Sequence, residues 1–242
     1  MHIFLAGASG AIGRRLIPLL LADGHSVAGT TRSLAKAAEL EAQGVAPVVL
    51  DVFDAVAVRD AVVTSRPEVV IHQLTDLPQV LDPEQMAAWR QRNTRLRVEG
   101  TANLVAAARA AAARRLIAQS IAFAYADWPE PHAETDPLAS PDGDEPGAIT
   151  ARGVRALEDA VLSAPGVEGV VLRYGRLYGP GTWYAAPNGK GALHVDAAAH
   201  AALLAVTRRA AGAYNIAEDD GAVVIEKARR ELGFDPGFRP KA

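Results

Sequence analysis

The sequence predicts an α/β fold built on a doubly wound parallel sheet, and three observations lead to that prediction. Apolar runs of strand length alternate with longer helical patterns along the 242 residues. Some of the short runs are apolar at nearly every position, as in residues 69–71 and 170–172, which suits strands covered on both faces. A glycine-rich turn joins the first strand to the first helix. Strand–helix alternation of this kind is typical of helices packed on both faces of a parallel sheet.

The alternation assigns the elements in order along the chain. Strands are predicted at residues 2–7, 26–31, 47–51, 68–73, 115–120 and 167–173. Helices are predicted at residues 11–22, 33–42, 54–64, 84–112 and 148–163. Pro18 removes one hydrogen bond from the first helix, but the apolar spacing around it still favours a helix. We expect residues 1–166 to form the core, and residues 167–242 to add the last core strand and a small C-terminal lobe within one integrated domain.

The turn after the first strand reads Gly7-Ala8-Ser9-Gly10-Ala11-Ile12-Gly13. Glycines let a pyrophosphate approach the backbone closely, and the helix N-terminus supplies free N–H groups and a partial positive charge. An apolar strand precedes the turn and a helical pattern follows it, which is the context that such a site requires. The sequence therefore predicts a dinucleotide site formed by Gly7, Ser9, Gly10, Ala11, Ile12, Gly13 and Arg14. The alternative is a turn that only packs the helix against the strand.

The end of the second strand reads Thr30-Thr31-Arg32-Ser33 and bears on the choice of cofactor. An acidic residue here would bind the adenine ribose hydroxyls and favour NAD, whereas an arginine suits a 2′-phosphate. Arg14 could add a second positive charge. Thr31 and Arg32 therefore predict NADP over NAD, unless Arg32 is only a solvated turn residue.

The composition excludes several classes of function. The net charge is −3, so nothing in the balance of charges calls for a nucleic-acid partner. There is no cysteine, which excludes disulfides and thiolate chemistry. No apolar run has the length of a membrane span, and the first residues are already strand-like, which leaves no room for a signal peptide. No histidine–carboxylate cluster has metal-ligand spacing. We expect a cytoplasmic protein that acts on a small molecule, with no membrane, nucleic-acid or metal partner.

Residues 127–147 interrupt the alternation with five prolines, seven carboxylates and no lysine or arginine. The segment leaves the carboxyl end of the fifth strand, the edge at which ligands bind in sheets of this kind. A long loop in a compact domain is usually functional or disordered. We interpret it as a substrate-side loop, with a mobile acidic loop as the alternative.

Several motifs in order along the chain give it a family resemblance. They are Gly7-x-x-Gly10-x-x-Gly13, Asp51-Val52, Asn93 with Gly100-Thr101-x-Asn103-Leu104, the segment 172–181, Leu193-His194-Val195-Asp196, and the segment 213–217. With these motifs the chain resembles the epimerase/dehydratase branch of the extended short-chain dehydrogenase/reductase superfamily. The resemblance implies a Rossmann-type sheet and places Asp51 and Val52 against the adenine. It further implies cofactor contacts from Gln73, Leu74, Thr75, Asn93, Gln119, Arg176 and Leu177.

The catalytic residues of that superfamily are missing from the chain. Its members use a serine or threonine with a Tyr-x-x-x-Lys pair, in which the tyrosine is the acid or base and the lysine lowers its pKa. Alignment on Glu158 puts Thr150 at the tyrosine position and Val154 at the lysine position, and no Tyr-x-x-x-Lys occurs anywhere in the sequence. If the protein is a redox enzyme, its acid–base chemistry is not the standard one.

Two hydroxyl groups are candidates for the missing proton donor. Ser120 ends the fifth strand and could bind a substrate carbonyl, or it could bond only the backbone of its own turn. Tyr125 follows it, at a position where the family usually has a structural tyrosine. Tyr174 and Arg176 replace the proline and asparagine usual near the nicotinamide, and either could face the substrate. We interpret His72 as structural and His132 as a surface histidine.

The C-terminal part is shorter than the resemblance implies, because only residues 182–192 separate the glycine-rich end of segment 172–181 from His194. A reduced substrate lobe suits an open site, a small substrate, or a second copy of the chain that completes the pocket in a homodimer. The leading interpretation is an NADP-dependent oxidoreductase that transfers hydride to or from a small carbonyl, imine or activated alkene. The alternatives are a catalytically silent NADP-binding sensor or regulator, and an epimerase or isomerase with a tightly held cofactor.

Overall fold

A seven-stranded parallel sheet runs through the centre of the protein in the computed structural model, which describes residues 1–78, 80–208 and 211–240. Its strand order is β3-β2-β1-β4-β5-β6-β9, while β7 and β8 pair separately as a small parallel sheet. The strands are β1 (His2–Ala6), β2 (Ser26–Thr31), β3 (Ala46–Val49), β4 (Val69–His72), β5 (Arg115–Ile121), β6 (Glu168–Tyr174), β7 (Arg176–Tyr178), β8 (Ala192–His194) and β9 (Gly212–Ile216). The doubly wound sheet predicted from the sequence is confirmed.

The helices cover both faces of this sheet. They are α1 (Ala11–Ala22), α2 (Leu34–Ala42), α3 (Ala55–Ser65), α4 (Met86–Arg95), α5 (Thr101–Ala110), α6 (Pro146–Leu162), α7 (Val195–Thr207) and α8 (Glu226–Leu232). The single helix predicted at residues 84–112 is more complex, because a 3₁₀ turn at Pro83–Gln85 precedes α4 and a π-helical turn at Leu96–Gly100 joins α4 to α5. Pro18 lies inside α1, which continues through it. No helix in the described part of the chain is long and apolar enough to cross a membrane.

Alternation along the central strands builds two apolar layers. Ile3 and Leu5 of β1 pack in the layer that contains α1 and α7, whereas Phe4 and Ala6 pack in the layer that contains α3, α5 and α6. All four side chains are essentially inaccessible to solvent. Burial on both faces explains why these strands read as continuous apolar runs.

The strand order reverses beside β1, which pairs with β2 on one side and with β4 on the other. In open parallel sheets, such a reversal opens a crevice at the carboxyl ends of the two neighbouring strands. The fold therefore places the glycine turn after β1 and the segment after β4 on opposite sides of one cleft.

Candidate cofactor and substrate cleft

A cleft of about 1230 Å³ lies at the carboxyl edge of the sheet. Ligand pockets usually measure about 300–1,000 Å³, so this one has room for a ligand larger than a typical small molecule. Of the residues predicted to contact the cofactor, all except Gly13 line it. They are Gly7, Ser9, Gly10, Ala11, Ile12, Arg14, Thr31, Arg32, Asp51, Val52, Gln73, Leu74, Thr75, Asn93, Gln119, Arg176 and Leu177.

The glycine turn has the shape that a pyrophosphate site needs. Gly7 has a φ of +92°, and a Cβ there would lie 2.7 Å from the Gln73 carbonyl oxygen across the cleft. Gly10 caps α1, and the helix has no side-chain cap and no acidic residue in its first turn. The free N–H groups of α1 therefore point to the cleft without a competing anion, which fits a bound phosphate group.

Gly13 contributes to packing instead of lining the cleft. A Cβ on Gly13 would lie 2.3 Å from the Gly7 carbonyl oxygen, so any side chain would separate α1 from the turn. The third glycine of the motif is needed for the close approach of helix and strand, as is usual in such turns.

Positive charge collects at the end of the cleft beside β2. Arg32 follows β2 and is exposed, while Lys36 lies in the first turn of α2 and also lines the cleft. Arg14 donates through Nε to the Ser9 carbonyl, and its Nη2 lies 3.4 Å from Glu39 Oε2. Sequence reasoning missed Lys36, although Ser33 at the helix N-cap could have placed it on the first turn facing the strand end.

The Gly100-Thr101-x-Asn103 motif connects the start of α5 to Val52, which follows β3, and to His72, which ends β4. Asn103 Nδ2 donates to the Val52 carbonyl at 2.9 Å, and a Cβ on Gly100 would lie 3.2 Å from the Val52 side chain. His72 Nε2 lies 3.1 Å from the Thr101 hydroxyl, and its Nδ1 accepts from the Leu74 backbone N–H. Burial and the neighbouring Arg97 lower the pKa of His72 to about 4, so it is neutral near pH 7. These contacts agree with the structural role expected for His72.

Ser120 and Tyr125 belong to a buried polar network behind the cleft, and neither lines it. The Ser120 hydroxyl donates to Glu158 Oε1 at 2.6 Å, and the same carboxylate accepts from Arg173. The Tyr125 hydroxyl donates to Asn215 and accepts from Arg173 Nη1 at 2.9 Å. Burial raises the pKa of Tyr125, although Arg173 opposes that shift. The geometry therefore does not support the expectation that either hydroxyl delivers a proton to a substrate.

The positions aligned with the missing catalytic pair carry no acid or base. Thr150 on α6 lines the cleft, and its hydroxyl donates to the Pro146 carbonyl one turn earlier in the helix. Val154 is fully buried and packs with Ile121 and Ala124. This wall of the cleft offers one neutral hydroxyl, and that hydroxyl is already bonded within its own helix.

Aromatic and basic side chains also line the cleft. The aromatic residues, which sequence reasoning missed, include Trp89, Phe123, Trp183 and Tyr184. Trp183 Nε1 donates to the Pro78 carbonyl at 2.7 Å, so the loop after β7 contacts the loop after β4. The Arg176 guanidinium lies 4.7 Å from the centre of the Phe123 ring. Arg90 and Arg97 also line the cleft.

Tyr174 lines the cleft but is bonded within the protein. Its hydroxyl accepts from Gln73 Nε2 at 3.2 Å, and burial raises its pKa well above the usual range. At neutral pH it stays protonated and neutral, so it does not act as a base.

The acidic segment 127–147 does not line the cleft, and its interpretation as a substrate-side loop is corrected. It packs toward the C-terminal part of the chain, where the Asn215 backbone N–H donates to Glu134 Oε1 and the His132 backbone N–H donates to the Ala222 carbonyl. The His132 ring stacks on Tyr125 at 4.7 Å, which makes it a packed residue instead of a surface one. Among the described residues, no group of three histidines or carboxylates is arranged to hold a metal ion.

Comparisons with known proteins agree with a nucleotide site at the cleft. Residues 7–188 match the family described as NAD(P)H-binding. A Streptomyces protein named 3-diazoavenalumate denitrifying reductase is 44% identical over 261 residues, which cover 98% of this chain and 83% of that protein.

Two solved structures share the fold at low sequence identity. Yeast methylglyoxal/isovaleraldehyde reductase Gre2, complexed with NADPH, has a TM-score of 0.78 at 17% identity, covering 97% of this chain and 94% of its own. The UDP-glucose 4-epimerase of Thermotoga maritima, solved with UDP-glucose, has a TM-score of 0.76 at 18% identity, covering 99% and 94%.

Proposed function

We propose that this chain, which belongs to the NAD(P)H-binding family, is an NADP-dependent reductase that replaces the diazo nitrogen of a small aromatic substrate by hydrogen. That it is an NAD(P)-dependent oxidoreductase follows from the family and from the reductase that is 44% identical to it. One observation carries the finer proposal. The cleft combines a complete dinucleotide turn with an α6 wall that lacks any acid or base, since Thr150 and Val154 stand where a tyrosine and a lysine are usual.

The missing acid suits a substrate that needs no proton. Reduction of a carbonyl or an imine leaves an oxygen or nitrogen anion, which a general acid must protonate. A diazonium group already carries a positive charge. The hydride brings two electrons that form the new carbon–hydrogen bond. The carbon–nitrogen bond breaks, and its electron pair leaves on nitrogen, so that neutral N₂ departs. The net reaction consumes one hydride and no proton, and the Streptomyces relative is named a denitrifying reductase of a diazo compound.

The walls of the cleft support a flat aromatic substrate. Trp89, Phe123, Trp183 and Tyr184 line the cleft. Aromatic side chains bind planar rings by stacked or edge-on contacts and keep water out. The hydrogen bond from Trp183 to the Pro78 carbonyl holds one of these walls in place.

The residues beside β2 support NADP over NAD. Arg32 and Lys36 line the cleft there, and charge-assisted hydrogen bonds from such side chains suit a 2′-phosphate. The α1 N-terminus would hold the pyrophosphate, and Asp51 and Val52 would lie against the adenine. When bound, NADPH supplies the hydride.

The first test compares substrates. With NADPH, we expect the protein to oxidise the cofactor at least about tenfold faster with an arenediazonium carboxylate than with aromatic aldehydes or imines, because a missing acid typically costs on the order of 100-fold or more. The measurement is NADPH absorbance, corrected for the reaction without protein. Faster turnover of aldehydes would instead favour a carbonyl reductase. Tight cofactor binding with no turnover of diazonium compounds, aldehydes or imines would favour a regulator.

A second prediction concerns the three hydroxyls that sequence reasoning considered. Thr150→Ala, Ser120→Ala and Tyr125→Phe should each keep kcat within a few-fold of native, whereas loss of a true general acid costs on the order of 100-fold or more. Tyr125→Phe should also lower the melting temperature, because a buried Asn215 oxygen loses its donor at a cost of about 1–3 kcal/mol. A fall of kcat by the larger factor in any variant that stays folded would identify that hydroxyl as the acid and contradict the proton-free reaction.

A further inference from the structure

Arg97 is a buried cation in the wall of the cleft. It lies in the π-helical turn Leu96–Gly100, and only 6% of its surface is exposed. The same side chain lines the cleft. π-helical turns are rare and occur frequently at functional sites, where they redirect a side chain.

Helix α6 fixes the course of this side chain. A Cβ on Gly153 would lie 3.3 Å from Arg97 Cδ and 3.1 Å from Thr94 Cα, so the glycine leaves the space that the arginine stem occupies. Gly153 and Val154 are neighbours on the helix wall where no acid or base is present. The guanidinium therefore reaches the cleft past the position that a longer α6 side chain would fill.

Within the described part of the chain, no hydrogen bond or ion pair joins the Arg97 guanidinium to another residue. Glu158 is the carboxylate that attracts it, but the oxygens of Glu158 accept from Ser120 and from Arg173 at 2.6–3.2 Å. His72 offers no acceptor either, because its Nδ1 is bonded to the Leu74 N–H. One carboxylate thus faces two buried guanidinium groups, and one of these has its donors unused.

Arg97 keeps its positive charge at neutral pH although it is buried. Burial lowers its pKa to about 10 and Glu158 offsets part of the shift, so the side chain is protonated at neutral pH. A buried charge without a partner is costly, and that cost is removed when a ligand supplies an anion with good geometry.

We propose that Arg97 binds an anionic oxygen group of the substrate, a carboxylate or a phenolate, and so positions the aromatic ring in the cleft. The proposal rests on the function proposed above for the identity of the ring. A guanidinium presents a planar set of donors that matches a carboxylate in pairs. We expect the phosphates of the cofactor to bind elsewhere, since the glycine turn and Arg32 follow β1 and β2, whereas Arg97 lies beside α6.

Binding measurements test this assignment without turnover. With NADP⁺-saturated protein, calorimetric titrations of cinnamate, 4-nitrophenolate and neutral cinnamamide would give the affinity of each probe. Charge-assisted hydrogen bonds contribute about 1.5–3 kcal/mol, so Arg97→Gln should weaken at least one anion by about 10- to 100-fold. Cinnamamide and NADPH should change by less than about threefold. Cinnamate and 4-nitrophenolate distinguish a carboxylate from a phenolate as the recognised group.

Two variants serve as controls. Arg109→Gln removes an exposed arginine from neighbouring α5 and should leave every affinity unchanged. Arg97→Lys keeps the charge without the planar fork, and should bind the anion with intermediate affinity even if Arg97→Gln does not fold.

Three results would overturn the proposal. The first is that native protein and Arg97→Gln bind the anions with equal affinity, and the second is that native protein binds cinnamate, 4-nitrophenolate and cinnamamide with equal affinity. The third is that Arg97→Gln loses NADPH affinity tenfold while its anion binding is unchanged. If the probes bind as expected but no diazo substrate is reduced, the proposed reaction fails and the anion site stands.

Discussion

Replacing Gly10 by valine is expected to abolish NADPH binding while the protein stays folded. Gly10 has an ordinary φ of −78°, and a Cβ would lie 3.3 Å from the Gly7 carbonyl oxygen, a tight contact that a shift of a few tenths of an ångström relieves. The branched methyl groups would instead occupy the mouth of the α1 N-terminus. Losing two or more charge-assisted hydrogen bonds of about 1.5–3 kcal/mol each lowers affinity by more than about 100-fold. Fluorescence titration with NADPH measures the loss.

Gly147→Val is the matched control for this variant. A Cβ on Gly147 would meet no atom within 4 Å, so the same substitution there should leave cofactor affinity unchanged. Circular dichroism and the melting temperature check that both variants fold. Unchanged NADPH affinity in folded Gly10→Val would show that the glycine turn is only a packing device.

Arg32→Asp is expected to reverse the cofactor preference. The native protein should bind NADPH at least about tenfold more tightly than NADH, because a charge-assisted contact to the 2′-phosphate contributes about 1.5–3 kcal/mol. An aspartate would repel that phosphate and accept from the ribose hydroxyls of NADH instead. Titration of both cofactors against both proteins measures the change. Lys36 stays in place, so some affinity for NADPH should remain.

The control for Arg32→Asp is Arg59→Asp, which makes the same change of charge on α3. Arg59 is exposed, pairs with Asp60 at 3.5 Å and does not line the cleft. It should leave the ratio of the two affinities as it is in the native protein. Equal affinity of the native protein for NADPH and NADH would contradict the role given to Arg32.

Local sequence signals predicted the sheet, and they identified residues that line one cleft, because both depend on short segments of chain. The β1 run and the Ile12, Leu16 and Leu20 spacing specify a strand and a helix that pack on each other. Strand ends meet at one edge of a parallel sheet, so residues after β1, β2 and β4 could be assigned to one cleft without knowledge of side-chain contacts.

The aromatic lining of the cleft and Arg97 were not predicted, because their positions depend on contacts between distant segments. The helical period through residues 84–112 hides the π-helical turn, and the Arg97 side chain in that turn packs against Gly153, more than 50 residues later in the chain. Trp183 is placed by a hydrogen bond to the Pro78 carbonyl, more than 100 residues away in the chain. No periodicity or turn signal carries such information.

The same limit applies to the acidic segment and to the two hydroxyls. Composition identified residues 127–147 as a loop, but contacts with Asn215 and Ala222 turn it away from the cleft. Ser120 stands at the expected strand end, yet its hydroxyl donates to Glu158, 38 residues later, at 2.6 Å. A buried carboxylate partner is a feature of the folded protein alone.

The most direct test of a proton-free reduction is the stoichiometry of nitrogen release. An arenediazonium carboxylate labelled with ¹⁵N would be incubated with the protein and limiting NADPH, and ¹⁵N₂, oxidised cofactor and the arene product would be measured together. We expect one ¹⁵N₂ and one denitrogenated arene for each NADPH oxidised, at a rate that Gly10→Val abolishes. Oxidation of NADPH without release of ¹⁵N₂, or release that does not depend on NADPH, would contradict the proposed reaction.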